Sequence, residues 1–487
     1  MRSLQDEIAS PTPAPQFATS SPLAGLRRRS LRPVDALAGS IAASAPTAAG
    51  LTLPPLLLQH SGAQAWIAVL LAAGLALAMA LLVGVFARRL SGSGSLYTYV
   101  AQSVDTSRAP GRVMTLATAA FLTGAYGLVG VTALAGAGFY VARFAASVGA
   151  PVSPLVPVGT VLAVGLGCLG LLVRRISLSS RVMLAVEAGA LVVLLVPVLG
   201  VLLGGWGQAA ATSAASPTVA HPGGVAAGVM ITVAAFIGFD HASFVGAETR
   251  RPLRTIPRVL SASVLVVAVV QLLTVTAALR AGAGALQTGV LQASGTWWTP
   301  ALALAGILGF TACALASLTA LSRLFLVLAK DGILPGAVGR ITDQGSPVTA
   351  VLVTAVPILA LTAGAVALAG PWAVVSIATS AAASAYVLAY LLTAVAVPLF
   401  LRRIGEVTAA PVLGSIGTAL GLAAVWLGFV AGPVQPTDRW GAWIGVIGPL
   451  LLVLTGWEIV RRRPPGWWGR YDVPTTRDVL GGEEPSV

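Results

Sequence analysis

The chain has 487 residues, 56% of them hydrophobic and only 9% charged, with a mean hydropathy of +0.89. An ordinary soluble domain carries about 25% charged residues, so most of this surface cannot face water, and a soluble enzyme or soluble nucleic-acid binder is excluded. The formal net charge of +13, from 29 Lys and Arg against 16 Asp and Glu, acquires meaning only from where those charges fall.

Along the chain, the first 33 residues are rich in Pro, Ser and Ala and end near Arg27, Arg28 and Arg29. No apolar core precedes these arginines, so the segment reads as a flexible tail and not as a cleavable signal peptide. A helix that crosses a membrane needs roughly 20 mostly apolar residues. Runs of that length recur about twelve times. The first six cover roughly 35–58, 64–87, 112–146, 154–173, 179–204 and 223–247; the last six cover roughly 257–280, 298–328, 347–368, 371–400, 410–432 and 440–460. None shows the period-two alternation of a barrel strand. The fold class is therefore an all-α membrane protein whose partner is the lipid bilayer. Residues 461–487 form a second polar tail. Cys168 and Cys313 lie inside apolar runs and read as small hydrophobes, with no disulfide framework or zinc spacing.

Positive charge sets the orientation. With the N-terminus placed in the cytoplasm, only Arg143, Arg280 and Arg439 of the 29 basic residues fall on the outer side. Arg88 and Arg89, Arg250 to Arg258, Arg402 and Arg403, and Arg461 to Arg463 mark successive inner ends. This is the positive-inside pattern. The basic excess is thus orientation and anchoring, with no nucleic acid implied, and both termini are expected in the cytoplasm of a plasma-membrane protein.

Two runs are flawed at matching places. In the first, Ser40 to Gly50 contains Pro46, which removes a backbone donor and clashes with the carbonyl four residues back, so the helix must open. In the sixth, Phe236, Ile237, Gly238, Phe239 and Asp240 interrupt the run near its middle. Irregular backbone at that depth is tolerated only where it lines a cavity or is buried in protein. Broken helices at corresponding places in two halves point to a transporter binding site, and runs one and six are five apart, as an inverted five-plus-five repeat requires.

The stretch from Gly238-Phe239-Asp240 through Ala247-Glu248-Thr249-Arg250-Arg251-Pro252 to Thr255-Ile256-Pro257-Arg258 resembles the signature after the sixth span of amino acid permeases of the amino acid–polyamine–organocation (APC) superfamily. Three further segments are similar to that family: Arg89 to Val100 with Tyr97 and Tyr99, Ser322-Arg323 leading to Lys330-Asp331-Gly332-Ile333-Leu334-Pro335, and Gly345-Ser346-Pro347. The resemblance covers roughly 34–460. It implies a LeuT-like inverted repeat plus two C-terminal helices: repeat one about 34–204, repeat two about 223–400, extra helices about 410–460. It further implies that substrate meets the opened backbone of spans one and six. The corresponding residues here are Ser44, Ala45, Pro46, Thr47 and Ala48, and Phe236, Ile237, Gly238 and Asp240. Half-helix ends carry partial charges suited to a substrate's carboxylate and ammonium. Where the family more often has glycines in span one, this chain has Ala45 and Pro46.

Two acidic residues lie deep. Asp240 is about 12 Å from the run's end at Glu248 at 1.5 Å per residue, and Glu187 is comparably placed in the fifth run. A charge at the bilayer centre costs at least about 2.5–3.5 kcal/mol, so such residues face a partner or a cavity. Glu187 is a candidate proton carrier; Asp240 reads equally as structural or functional. Proton-coupled relatives often carry a Lys on span five, expected near Ala190, but the one Lys here is Lys330. Sodium near Ser317 and Thr319 is therefore an open alternative to a proton, as is no coupling ion. Tyr126, Tyr386 and Tyr390 are candidate pocket residues, and Phe236 a candidate gate. No cofactor, metal centre or catalytic constellation is indicated. The expected function is secondary active transport of a small, neutral amino acid by alternating access, with a cationic amine or polyamine as rival substrate and a non-transporting sensor as rival role.

Overall fold

The computed structural model describes residues 26, 29–174, 176–204, 222–281, 298–342, 345–432, 434–461 and 468–472. Most of the expected tails, residues 1–25 and 473–487, lie outside these, as does His221. The first apolar run is two helices, α1 (Pro33–Ser44) and α2 (Pro46–Ser61). After a 3-10 turn at Gly62–Gln64 comes α3 (Ala65–Ala87), then a short helix, α4 (Leu96–Ser103). The remainder of the first half is α5 (Ala109–Ser147), α6 (Leu155–Arg174) and α7 (Ile176–Leu202).

The sixth run, expected to continue to 247, stops as α8 (Pro222–Phe236) and restarts for a single turn, α9 (His241–Phe244). Then follow α10 (Pro252–Ala281), α11 (Thr299–Lys330), α12 (Val348–Ala369) and α13 (Pro371–Ile404). The last two are α14 (Ala409–Ala431) and α15 (Pro436–Val460).

Among the described residues, ten helical stretches are long and apolar enough to cross a membrane. The first of them, Pro33–Ala87, holds 55 residues. That is about 80 Å of helix against a hydrocarbon core of about 30 Å, too long for one pass; the interruptions at Ala45 and Gly62–Gln64 divide it. The chain is a multi-pass, all-α membrane protein.

Burial separates a central set of helices from a peripheral one. The spanning windows of α5, α11 and α13 are 67%, 72% and 67% buried, whereas those of α14 and α15 are 22% buried. Leu413, Leu420, Leu427 and Leu454 on the outer pair are each more than half exposed, as suits side chains that meet lipid. Helix α15 still docks closely on α13: a Cβ added at Gly445 would lie 2.0 Å from the Ala381 carbonyl oxygen, so only a glycine lets these backbones approach.

The arginine-rich end is closed by four chain segments stitched together. Ser91–Gly92 (β1) pairs antiparallel with Tyr471–Asp472 (β2), so residues within the expected C-terminal tail are docked. The Asp331 carboxylate accepts hydrogen bonds from the Tyr97 hydroxyl (2.7 Å) and the Gly469 amide (2.6 Å), and Arg470 lies 3.3 Å away. Arg29 pairs with Asp472 at 2.9 Å. Deeper, Arg323 of α11 donates to Glu248 at 3.1 Å, both side chains being buried.

Burial pushes the Asp331 carboxyl up to about 6, against the lowering pull of Tyr97, Gly469 and Arg470. A carboxyl with a higher pKa docked than free binds a proton more tightly when docked. The 468–472 segment should therefore hold most firmly below that value and loosen as pH rises through about 6. Proteolysis after Arg470 reads this: the cleavage rate of wild type relative to Asp331→Asn should rise severalfold from pH 5.5 to 7.5. A constant ratio would refute the linkage.

Candidate functional site

The two helix breaks are built differently. Ala45 alone separates α1 from α2, in the left-handed region at φ 42° and ψ 60°. Its amide turns back to Ile41 and Ala42 carbonyls (2.9 and 3.2 Å). Pro46 is then the first residue of α2, where a missing N–H costs nothing. The expected long unwound stretch is thus one residue, and proline starts the second half-helix where it was expected to disrupt the first. A non-glycine residue held here stores about 1–3 kcal/mol of strain.

The second break is longer. From Ile237 to Ser243 every second amide bonds three residues back: Ile237 to Ala234, Phe239 to Phe236, His241 to Gly238 and Ser243 to Asp240, at 2.8–3.3 Å. Gly238 sits at φ 107°. A Cβ there would also lie 2.6 Å from both the carbonyl carbon and the Cβ of Ala43. The breaks therefore touch. The Ser40 hydroxyl accepts a hydrogen bond from the Ala242 amide at 3.0 Å, a second tie between α1 and the restart of span six.

Asp240 is buried at the hub of this junction. One carboxylate oxygen accepts from Tyr126 (2.7 Å) and from Tyr386; the other accepts from Ser95 at 2.9 Å. Tyr386 also accepts from the Gly238 amide at 3.3 Å. Tyr390 packs edge-on against Tyr386, ring centroids 4.2 Å apart. Ser95, at φ 47°, reaches in from the Gly-Ser segment after α3. Sequence reasoning passed over it, because a serine in such a segment carries no signal of a distant carboxylate.

Beside the breaks lies a cavity of about 60 Å³. Spans one and six contribute Ala43, Ser44, Ala45, Ala48, Ala49, Thr52, Leu53, Ala234, Ala235 and Ile237; Val129, Thr132 and Ala133 come from α5, Phe310 and Cys313 from α11, and Thr379 and Ala382 from α13. Of the residues expected to contact substrate, Ser44, Ala45, Ala48 and Ile237 are in this wall. Pro46, Thr47, Phe236, Gly238 and Asp240 are not, and neither are Tyr126 and Tyr386, which donate to Asp240, nor Tyr390, which packs on Tyr386. The physical reason is hydrogen-bond demand. A buried carboxylate gathers donors, and the Tyr126 and Tyr386 hydroxyls serve Asp240 in place of the cavity.

Glu187, on α7, meets the first break at Thr47. One of its oxygens accepts from the Thr47 amide at 3.0 Å; the other is buried with no hydrogen-bond partner among the described residues. Opposite it, on α11, a Cβ at Gly309 would come within 3.2 Å of the Ala48 amide and 3.4 Å of the free Glu187 oxygen. The Cys313 thiol donates to the Ala43 carbonyl at 3.4 Å. Ser317 and Thr319, named for a sodium site, donate instead to carbonyls of their own helix, Ala314 and Leu315. The α11 side chain bonded to the break is a thiol, a poor ligand for a hard cation.

The sequence profile of a family described as "Amino acid permease" matches residues 36–452. The chain is also similar to the branched-chain amino acid permease BcaP of Bacillus subtilis (strain 168), 29% identical over 128 residues. That match spans 24% of this chain and 27% of the relative, about a quarter of either.

Gly238→Ala tests the contact between breaks. The added methyl meets Ala43 and the backbone is strained, so solute uptake should fall at least tenfold with the protein still inserted in the membrane at near wild-type level. Uptake within twofold of wild type would separate the second break from the site.

Proposed function

The chain belongs to the amino acid permease family, and we propose that it is a secondary active transporter. In this reading it carries neutral amino acids across the plasma membrane by alternating access, with twelve passes and both tails cytoplasmic. The observation that supports it most is the cavity set against two touching helix breaks. The carbonyl end of α1 offers partial negative charge to a substrate ammonium, and the amide end of α2 offers partial positive charge to a carboxylate.

The wall favours an uncharged substrate side chain. Its polar groups are Ser44, Thr52, Thr132, Thr379 and Cys313, and no carboxylate or guanidinium is among the lining residues. A cationic amine would need a counter-charge at that depth. The two carboxylates expected to supply it are Asp240, which already holds three protein donors, and Glu187, which is engaged by the Thr47 amide and is not among the lining residues. The similarity to a branched-chain amino acid permease agrees with a substrate of apolar side chain. Family membership points to transport and away from catalysis. Glu187, buried with one free oxygen, is the proposed proton carrier.

Counterflow in proteoliposomes, which needs no ion gradient, tests this directly. Vesicles preloaded with unlabelled leucine should accumulate labelled leucine or valine severalfold over protein-free vesicles, and labelled lysine or putrescine far less. Preferential accumulation of the cations would replace the substrate class. Silence across a full amino acid panel with folded protein would favour a sensor.

A further inference from the structure

The first turn of α2 has few amides left for a ligand. Pro46 has no N–H, and the Ala49 amide bonds to the Ala45 carbonyl at 2.9 Å. The Thr47 amide is held by Glu187 at 3.0 Å. Yet Thr47 lies in sequence between Ala45 and Ala48, both of which line the cavity. The half-helix end best suited to a carboxylate thus already holds one, and it belongs to the protein. That carboxylate is poorly served: its second oxygen is buried without a partner, whereas a charged carboxylate at this depth calls for several donors.

We propose that Glu187 occupies the substrate-carboxylate position on the Thr47 amide in the empty transporter, and that its protonation hands this amide to the incoming substrate. The inference rests on the transport reading and adds to it how proton and substrate are linked. A proton adds to the Glu187 carboxylate and gives a neutral carboxylic acid. The Thr47 N–H leaves this weaker acceptor for the substrate's carboxylate, since charged acceptors make the stronger hydrogen bond. When the substrate departs, the acid loses its proton and the carboxylate returns to the amide. One negative charge then faces the α2 terminus in both the empty and the loaded state, and one proton accompanies each substrate.

The surroundings leave this exchange to Glu187. The titratable group facing it is the Cys313 thiol; its other neighbours, Thr47, Ala48 and Gly309, are neutral. Helices α1, α6 and α10 also pack against α7. Their charged residues, Asp35, Arg174, Arg254, Arg258 and Arg280, stand near helix ends, as do His60 of α2 and Lys330 of α11, while Arg323 of α11 is paired with Glu248.

The test uses leucine counterflow in sodium-free buffer from pH 5.5 to 8.5, together with proton uptake by the purified protein on leucine binding in weakly buffered solution. For wild type, KM should rise by about tenfold per pH unit on the alkaline limb, the slope of one linked proton. Leucine binding should take up about one proton per site. Glu187→Gln, neutral at every pH, should keep a flat KM close to the wild-type acid value and take up none. A flat wild-type KM, binding without proton uptake, or a Glu187→Gln profile that still follows wild type would each overturn the exchange. The uptake measurement needs only wild-type protein, so a variant that fails to fold does not shield the idea. Absence of counterflow at all pH values would instead fall on the transport reading.

Discussion

A helix broken inside a membrane exposes amides and carbonyls where no lipid can bond them, and the arrangement of this protein follows from how those groups are satisfied. At the end of α1, the Ala45 amide folds back on its own helix and the Ala43 carbonyl takes the Cys313 thiol from α11. At the start of α2, Pro46 needs no acceptor and Thr47 finds Glu187 on α7. At the second break, Gly238 donates to Tyr386 on α13, and Ala242 to Ser40 on α1. The four repairs made from outside the broken span draw on four helices, α11, α7, α13 and α1. The breaks can therefore exist only in an assembled bundle, and a change in one repair is felt by the span that supplies it.

The two mid-depth carboxylates show opposite solutions to the same cost. Asp240 is saturated: three hydroxyls from α5, α13 and the segment after α3 converge on it, and charge-assisted hydrogen bonds of this kind are about twice as strong as neutral ones. Such a group fixes the relation of its neighbours. Glu187 has one backbone donor and one bare oxygen, so less is lost when its bond is exchanged for another. Two buried carboxylates beside the same breaks thus differ in donor number, and in the proposed exchange that difference is what separates a clamp from an exchangeable contact.

Much of the fold was legible in the sequence because the signals are one-dimensional. Apolar length located the spans, most of them to within a few residues, as with the expected 154–173 against Leu155–Arg174. Pro46 and Gly238 marked both breaks, since a missing donor and a positive φ are properties of single residues. Side-chain partnership was not legible. Nothing in the sequence pairs Ser95 with Asp240, Glu187 with Thr47 or Cys313 with Ala43, because these contacts join residues 145, 140 and 270 positions apart. Tyr126 and Tyr386 were expected at the pocket, yet their address depended on which acceptor demanded them. The docked strand at Tyr471–Asp472 was also invisible, being two residues inside a polar tail.

The cavity wall bears on how selective such a site can be. Eight of its seventeen residues are alanines, four of them on span one. Methyl groups define a shape but offer little that distinguishes one apolar side chain from another: a methylene more or less is worth only about 1–3 kcal/mol in a hydrophobic pocket. An ionised side chain meets a far larger penalty, since burying an unpaired charge costs several kilocalories per mole even after relaxation. For an amino acid substrate, discrimination by charge would thus be steep and discrimination by size shallow. The hydroxyls of Thr132 and Thr379 set a limit on how apolar the wall is. Replacing small residues such as Ala133 or Ala382 by valine would trim the cavity from α5 or α13, helices that carry neither break, so in the proposed transporter size preference would be adjustable apart from the groups offered to the substrate backbone.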